Sequence, residues 1–551
     1  MKVMLVHCRF SPNTWESCLP LGIGSLSEYA RSRIQGLEIN VLDANVLDLR
    51  EDQVLQHVIS FRPKVLGLSF MTPQADYAYA LTELIKNDSR CENIRIIHGG
   101  VHPTALPKEA LDHGADVCVV GEGELTFCEL LEALLHNRDF SRIPGTACIK
   151  DGRVITAPER PLIEDLDILP FPQWQEFPLN RYTQTLHLEN GPALPIMGSR
   201  GCPHSCSFCF SPRMWRRKVR FMSAERIVTA MSEACETLGI SRFHFYDDDF
   251  LCSPKWAESF CEKLIENKGC FHWVCLVRPD SVCRNRLLLA LMQKAGCVGV
   301  EMGVDSTDDE VLKGMTKGFS GDMAREAIGA LHEAGMPLAV LEIMTCNPGE
   351  TLEKHYEMGA VLRELTGCDH VFLGHFATPY PGTEFYRRAQ HEGVMLAKKW
   401  SEYQTEKVTF IPDSLLQERP RMLKPTLSAL DRLLTRIYCV CSSRRQVSGP
   451  VVKAQKEILN IFQDLDGSKT VEQVLHQGLS ETENVPESEV RAMILRALLV
   501  WAQIGAVGTK SARSCARSSW TDSCPDSMNP GEWYHRNKAN LYRHSIDWRS
   551  L

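Results

Sequence analysis

The sequence predicts an α/β protein: a doubly wound N-terminal domain, a partial (β/α)6 barrel, and a small C-terminal helical or winged-helix-like module. Three observations carry this reading. Up to about residue 140, short apolar runs alternate with amphipathic segments, and a second alternation of six apolar runs extends from 190 to about 385. Residues 455–508 instead show a helical apolar period without strand-like runs. Strand–helix alternation at this spacing means parallel sheets covered by helices.

In the first alternation the runs "KVMLV", "EINVLD", "KVLGLSF", "IRIIHGG" and "ADVCVVGEGE" read as five strands. Between them, "LGIGSLSEYARSRI" and "ADYAYALTELIKN" have helical spacing. Doubly wound domains bind ligands at the carboxyl ends of their strands. Those ends carry Asp43, then "SFMT" at 69–72, "GGVHPT" at 99–104 and "GEGE" at 121–124, where glycines let backbone approach a ligand. Residues 141–189 form a connector, with a small hairpin in "RIPGTACIKDGRVITAPERP" and a proline-rich strap. Barrel residues 190–390 contain "ALPIMGSRG", "RFHFYDDD", "HWVCLV", "VGVEMGVD", "PLAVLEIMTC" and "DHVFLGHFAT" as strands. Eight such units would close a barrel; six leave it incomplete. A helical linker is expected over 391–450, the small module over 451–510 and an irregular Ser- and Arg-rich tail over 511–551.

At 551 residues the chain is too long for one core. Hydrophobic residues make up 44% and charged residues 24%, ordinary for a globular protein. A net charge of −8 argues against a nucleic-acid partner or an anionic membrane surface. The longest apolar stretch, "AMILRALLVWAQIGAV", contains Arg496 and Gln503 and is too short for a membrane span. "MKVMLVHCRF" reads as a strand rather than a leader, so the expected location is cytoplasmic. There most of the 22 cysteines are expected to be reduced, buried thiols.

One cluster differs. In "SRGCPHSCSFCFSP", Cys202, Cys206 and Cys209 form a C-x3-C-x2-C array in the loop after the first barrel strand. Structural zinc takes four ligands, and His204 is poorly spaced to supply the fourth. A [4Fe–4S] cluster held by three thiolates leaves one iron free. That iron can ligate the amino and carboxylate groups of S-adenosylmethionine, whose sulfonium an electron from the cluster then cleaves to an adenosyl radical.

"CPHSCSFC" after a barrel strand resembles the radical SAM superfamily. The N-terminal domain, with "GGVHPT" and "GEGE", resembles the cobalamin-binding domain fused to one branch of it. The resemblance runs from residue 1 to about 390. It implies three cofactors: a [4Fe–4S] cluster on Cys202, Cys206 and Cys209, S-adenosylmethionine, and cobalamin. For S-adenosylmethionine it implies contacts at Phe208; at Asp247 and Asp248 of "FYDDDF", as acceptors for the methionine ammonium; at Arg278 of "RPD", for its carboxylate; and at Glu301 and Asp305 of "GVEMGVDS". For cobalamin it implies Ser69, Phe70 and Met71 beneath the corrin, with Gly99, Gly100, His102, Gly121 and Glu122 nearby. "NPGET" and "TPYPGTEF" match turns of the same branch and read as scaffold. One departure stands out: no Asp-x-His-x-x-Gly occurs in residues 1–140, where His7, His57, His98, His102, His113 and His136 all lack that context. Cobalamin is therefore expected without a histidine from that motif on cobalt.

The function implied is cobalamin-dependent C-methylation of a small-molecule or peptide biosynthetic intermediate, with an electron donor such as flavodoxin or ferredoxin. The alternatives are a radical cyclase or oxidative rearrangement enzyme that uses cobalamin, or a P-methyltransferase. A tRNA methylthiotransferase would want a second cysteine trio, which Cys8, Cys18, Cys91, Cys118 and Cys128 do not form, and a basic tail. A cobalamin sensor without catalysis would not need the cysteine array. "LDGSKTVEQVL" weakly resembles small peptide-recognition domains, and a helical cap on the barrel reads equally well. Cys439, Cys441, Cys515 and Cys524 match no ligand spacing, and "MWRRKVR" at 214–220 reads as a solvated basic face.

Overall fold

A computed structural model describes residues 1–10, 18–184, 186, 192–351, 354, 357–358, 371–405 and 408–418. The expected C-terminal module, the tail and the four cysteines from Cys439 onward lie outside the described residues. The chain divides into two compact units, residues 1–350 with 376–414 and residues 351–375 with 415–551. The features below belong to the first unless stated.

The N-terminal sheet contains β1 (Lys2–His7), β2 (Glu38–Asp43), β3 (Val65–Ser69), β4 (Arg95–Gly99), β5 (Val117–Val119), β6 (Thr146–Lys150) and β7 (Arg153–Thr156). Their order is β2-β1-β3-β4-β5-β6-β7. The first five are parallel. They are nearly continuous apolar runs because helices bury both faces; Val3 to Val6 of β1 are all buried. The order reverses between β1 and β3, which opens a crevice at their carboxyl ends. The hairpin read as part of a connector joins this sheet: β6 runs antiparallel to β5, and β7 to β6. Asp151 and Gly152, both at positive φ, make its two-residue turn, as Asp-Gly pairs do where the turn twist must match the strands.

The barrel sheet of the first unit is assembled from β8 (Leu194–Ile196), β11 (Arg242–Phe245), β12 (His272–Val277), β13 (Cys297–Asp305) and β14 (Leu338–Thr345), in that order across the sheet, and β15 (Val371–Phe376) falls in the second unit but for Phe376. Strands β8 to β14 pair in parallel. Between β8 and β11 lies a two-stranded antiparallel ribbon, β9 (Ser199–Arg200) with β10 (Arg220–Phe221). Local sequence sets the covering helices. Ser223 accepts from the Arg226 N–H to start Ala224–Leu238, and Gly239 ends it at φ 67°. Ser320 and Gly335 do the same for Gly321–Ala334. Trp273 packs among Phe245, Phe250 and Phe260, with ring centroids 5.1 to 5.5 Å away, and anchors the core behind β11 and β12.

Residues from 391 onward, expected as helical linker, instead begin with a small hairpin of β16 (Gly393–Met395) and β17 (Phe410–Pro412). Trp400, between them, packs edge-on against His102 and donates its indole N–H to Glu109 across 2.6 Å. Aromatic anchoring of this segment outweighs any helix propensity. Among the described residues no helix is long and apolar enough to cross a membrane.

Candidate cofactor sites

The cysteine loop leaves the ribbon at Gly201, which only glycine can occupy. Its φ is +107°, and a Cβ would lie 2.1 Å from the Lys218 carbonyl oxygen. Cys206 is buried, while Cys202 and Cys209 are half-buried. The backbone N–H of Ser211 donates to Cys209 Sγ across 3.3 Å, and Arg278 Nη1 stands 3.6 Å from Cys206 Sγ. Burial pushes the Cys202 thiol up to about 11 and the Cys209 thiol up to about 12. Ligation by a metal overrides such a shift, since it takes the thiolate outright. Among the described residues no three His, Cys, Asp or Glu side chains converge to hold a single metal ion. A cubane takes its thiolates on separate irons, so the trio need not meet at one point. Three thiols on one loop, with N–H donors and a guanidinium beside their sulfurs, fit an anionic iron–sulfur cluster.

Around this loop the residues named for S-adenosylmethionine divide into two sets. Asp248, half-buried, accepts from the Ser211 hydroxyl across 2.8 Å and so borders the cysteine loop. Asp247 is buried and used by its own chain, accepting from the Gly198 N–H across 3.1 Å and from the Ser199 hydroxyl. Arg278 is also committed: Nε donates to Asp280 across 3.0 Å and Nη2 to the Lys317 carbonyl across 2.5 Å. Asp305, at φ 62°, pairs with the buried ammonium of Lys317, which lies 5.4 Å from the centre of the Phe208 ring. Phe208 itself packs against the apolar cluster of Val311, Met344 and Phe385. Glu301 pairs with His244 at 3.1 Å, from β13 to β11. Sequence reasoning missed Lys317 and Asp249. The latter is buried, accepts from the Ser281 hydroxyl, and leaves Oδ1 without a partner among the described residues. The third aspartate of "FYDDDF" was the available signal for it.

A cavity of about 280 Å³ opens at the carboxyl ends of β3, β4 and β5. Ser69, Gly99, Gly100, Gly121 and Glu122, which the resemblance names for cobalamin, line it, and Met197, Arg200, Trp215 and Met222 close it from the barrel side. A Cβ on Gly121 would meet no atom within 4 Å, so the glycine leaves cradle space for a ligand. Gly100 is required by φ +99°, with a Cβ only 2.7 Å from the Phe70 carbonyl oxygen. A largely apolar cavity at glycine-rich strand ends fits part of a large cofactor such as cobalamin.

Phe70 and His102 are not in this cavity. Phe70 turns into the domain core, 5.2 Å from the His98 ring. His102 is fully buried, with Nδ1 3.1 Å from Thr72 Oγ1 and Nε2 3.0 Å from Tyr79 Oη. Met71 is 43% exposed on the following turn and does not line the cavity. Glu122 does more than line it. Its carboxylate accepts from Arg200 Nη1 at 2.9 Å, from Arg220 Nη1 at 3.0 and 2.9 Å, and from the Ile163 N–H at 2.8 Å. Glu124 accepts from Arg200 Nη2 across 2.6 Å. "GEGE" therefore grips the ribbon that opens the cysteine loop.

Comparison with known proteins finds the same two domains. Residues 196–359 match the radical SAM superfamily, and residues 16–131 match the B12 binding domain. An uncharacterized methyltransferase of Pyrococcus horikoshii is 28% identical over 389 residues, covering 70% of this chain and 82% of that protein. The anaerobic magnesium-protoporphyrin IX monomethyl ester cyclase of a Synechocystis species is 26% identical over 407 residues, covering 70% and 79%. Among solved structures, the cobalamin-dependent S-adenosylmethionine radical enzyme OxsB, with aqua-cobalamin and S-adenosylmethionine bound, superposes with a TM-score of 0.63. That match has 16% identity and covers 99% of this chain and 84% of OxsB.

Proposed function

We propose that this chain, which belongs to the cobalamin-binding radical SAM enzymes, is a C-methyltransferase acting on a small-molecule or peptide biosynthetic intermediate. One observation carries the reading: the cavity at the N-terminal strand ends is lined by Ser199 and Arg200 of β9, the strand that leads directly into the cysteine loop. Cofactors in the two places would serve one reaction space.

When bound, the cluster with S-adenosylmethionine supplies a substrate radical, and cobalamin supplies a methyl carrier. Cys202, Cys206 and Cys209 hold the cluster, while Arg278 and the Ser211 N–H stabilise negative charge on its sulfurs. Asp248, and with it Asp249, would accept from the methionine ammonium. Met197, Trp215 and Met222 keep water from the cavity. The electron comes from a flavodoxin- or ferredoxin-like donor, the partners include no nucleic acid, and the enzyme works in the cytoplasm.

The similarity to an anaerobic cyclase favours one second reading, a radical cyclisation or rearrangement. Anaerobic turnover with methyl-labelled S-adenosylmethionine and a panel of candidate substrates separates the two. Methyl transfer gives near-equal yields of S-adenosylhomocysteine and 5′-deoxyadenosine, with label in the product. 5′-Deoxyadenosine without S-adenosylhomocysteine rejects methyl transfer in favour of the second reading.

A further inference from the structure

The buried charges between the cavity and the cysteine loop are not fully matched. Glu124 lines the cavity and is only 4% exposed; its Oε1 accepts from Arg200, and its Oε2 has no partner among the described residues. Burial alone would push this carboxyl up, but the Arg200 guanidinium overrides it and holds the group below its ordinary value. It is therefore ionised and can only accept hydrogen bonds. A buried acceptor without a donor is costly and calls for an explanation. Cobalamin carries primary amides around its corrin, and these are donors of the required kind.

Arg200 gives the same carboxylate a second role. It ends β9, and Gly201 and Cys202 follow directly. Across the ribbon its register partner is Arg220, where the loop returns, and Arg220 also holds Glu122. Both ends of the segment bearing the three cysteines are thus tied to the cavity wall.

We propose that Glu124 couples cobalamin binding to order in the cysteine loop, one carboxylate oxygen holding Arg200 and the other receiving an amide N–H of the cofactor. This rests on the assignment of the cavity to cobalamin. Linkage makes the effect reciprocal: a formed cluster loop tightens cobalamin binding by the factor with which cobalamin stabilises the loop.

The test uses the full chain titrated with hydroxocobalamin and followed by visible absorbance, before and after anaerobic assembly of the [4Fe–4S] cluster. Wild type is expected to bind about tenfold more tightly with the cluster present, within the ~5–150-fold range of such couplings. Glu124→Gln, checked for fold by circular dichroism, is expected to bind more weakly and to lose the dependence on the cluster. Arg200→Lys keeps the charge but not the two-pronged grip, and its ratio should also fall toward one; it decides the matter if Glu124→Gln does not fold. A wild-type ratio of one overturns the proposal, as does a Glu124→Gln ratio that stays at the wild-type value. Failure of wild type to take up hydroxocobalamin at all would instead remove the cavity assignment beneath it.

Discussion

The guanidinium of Arg278 stands 3.6 Å from the sulfur of Cys206, while its remaining edges hold Asp280 and the Lys317 carbonyl. Three of its five N–H donors are thereby committed. Beyond its ion pair with Asp280 its charge bears on the Cys206 sulfur, which places the residue closer to redox tuning than to simple carboxylate capture. Removing a positive charge beside a cluster makes adding an electron harder. Arg278→Gln is expected to lower the cluster midpoint potential by roughly 50 mV, nearly a tenfold change for a one-electron couple, with Arg278→Lys recovering most of it. Potentiometric titration read by electron paramagnetic resonance checks this, and an unchanged potential in Arg278→Gln would refute it.

Loop geometry gives a second prediction. Any side chain at Gly201 meets the Lys218 backbone, so Gly201→Ala must shift the first turn of the cysteine loop. Strain of this kind costs about 1–3 kcal/mol, and here it falls one residue before Cys202. The variant should hold less than half the wild-type iron while keeping its far-ultraviolet circular dichroism. Changing Cys202, Cys206 or Cys209 to Ala should remove the cluster absorbance and all 5′-deoxyadenosine formation. Cleavage of S-adenosylmethionine by the triple variant would sink the radical assignment.

His102 tests the cobalt environment. Its two ring nitrogens face Thr72 and Tyr79 inside the core, so no lone pair is left to reach a metal in the cavity. With cobalamin bound as Co(II), electron paramagnetic resonance should show no splitting from a histidine nitrogen. His102→Ala should lower stability by about 1–3 kcal/mol through loss of a buried network, and leave that spectrum unchanged. A nitrogen splitting that disappears in His102→Ala would contradict this placement.

What could be read from the sequence was local. Apolar runs such as "KVMLV" and "HWVCLV" and the spacing of Cys202, Cys206 and Cys209 are all written in contiguous residues. The Asp151–Gly152 turn was equally legible, but not the addition of its hairpin to β5, because strand pairing depends on which edge lies free. Glu122 was singled out for its glycine neighbours. Its partners Arg200 and Arg220 stand 78 and 98 positions away, where no spacing rule reaches. Phe70 and His102 were placed by analogy with a turn, whereas the direction of each side chain is set by packing against His98, Tyr79 and Trp400. The hairpin β16–β17 replaced an expected helix for the same reason, since Trp400 finds its partners in the N-terminal domain.

Asp247 offers a prediction whose sign is fixed by burial. The side chain is fully enclosed, and that desolvation pushes its carboxyl up to about 6, against the opposing effect of the Ser199 hydroxyl and the Gly198 N–H. In the unfolded chain the same group titrates near 3.9. Between about pH 4 and pH 6 the folded protein therefore keeps a proton that the unfolded chain has lost, and stability falls as pH rises through this window. A shift of about two units corresponds to about 3 kcal/mol, present below pH 4 and gone above pH 6. Asp247→Asn has the shape of the protonated acid and no titration, but it offers one acceptor to two donors, so at pH 4.5 it should be less stable than wild type by about 1 kcal/mol. At pH 7 wild type carries the buried charge and the variant does not, so the difference should move toward the variant by up to about 3 kcal/mol. Urea unfolding of both proteins at the two pH values measures this directly. A difference that does not change with pH would show that Asp247 titrates as an ordinary carboxylate, and one that moves toward wild type that hydrogen bonding by the Ser199 hydroxyl and the Gly198 N–H outweighs burial; either result would refute the raised value.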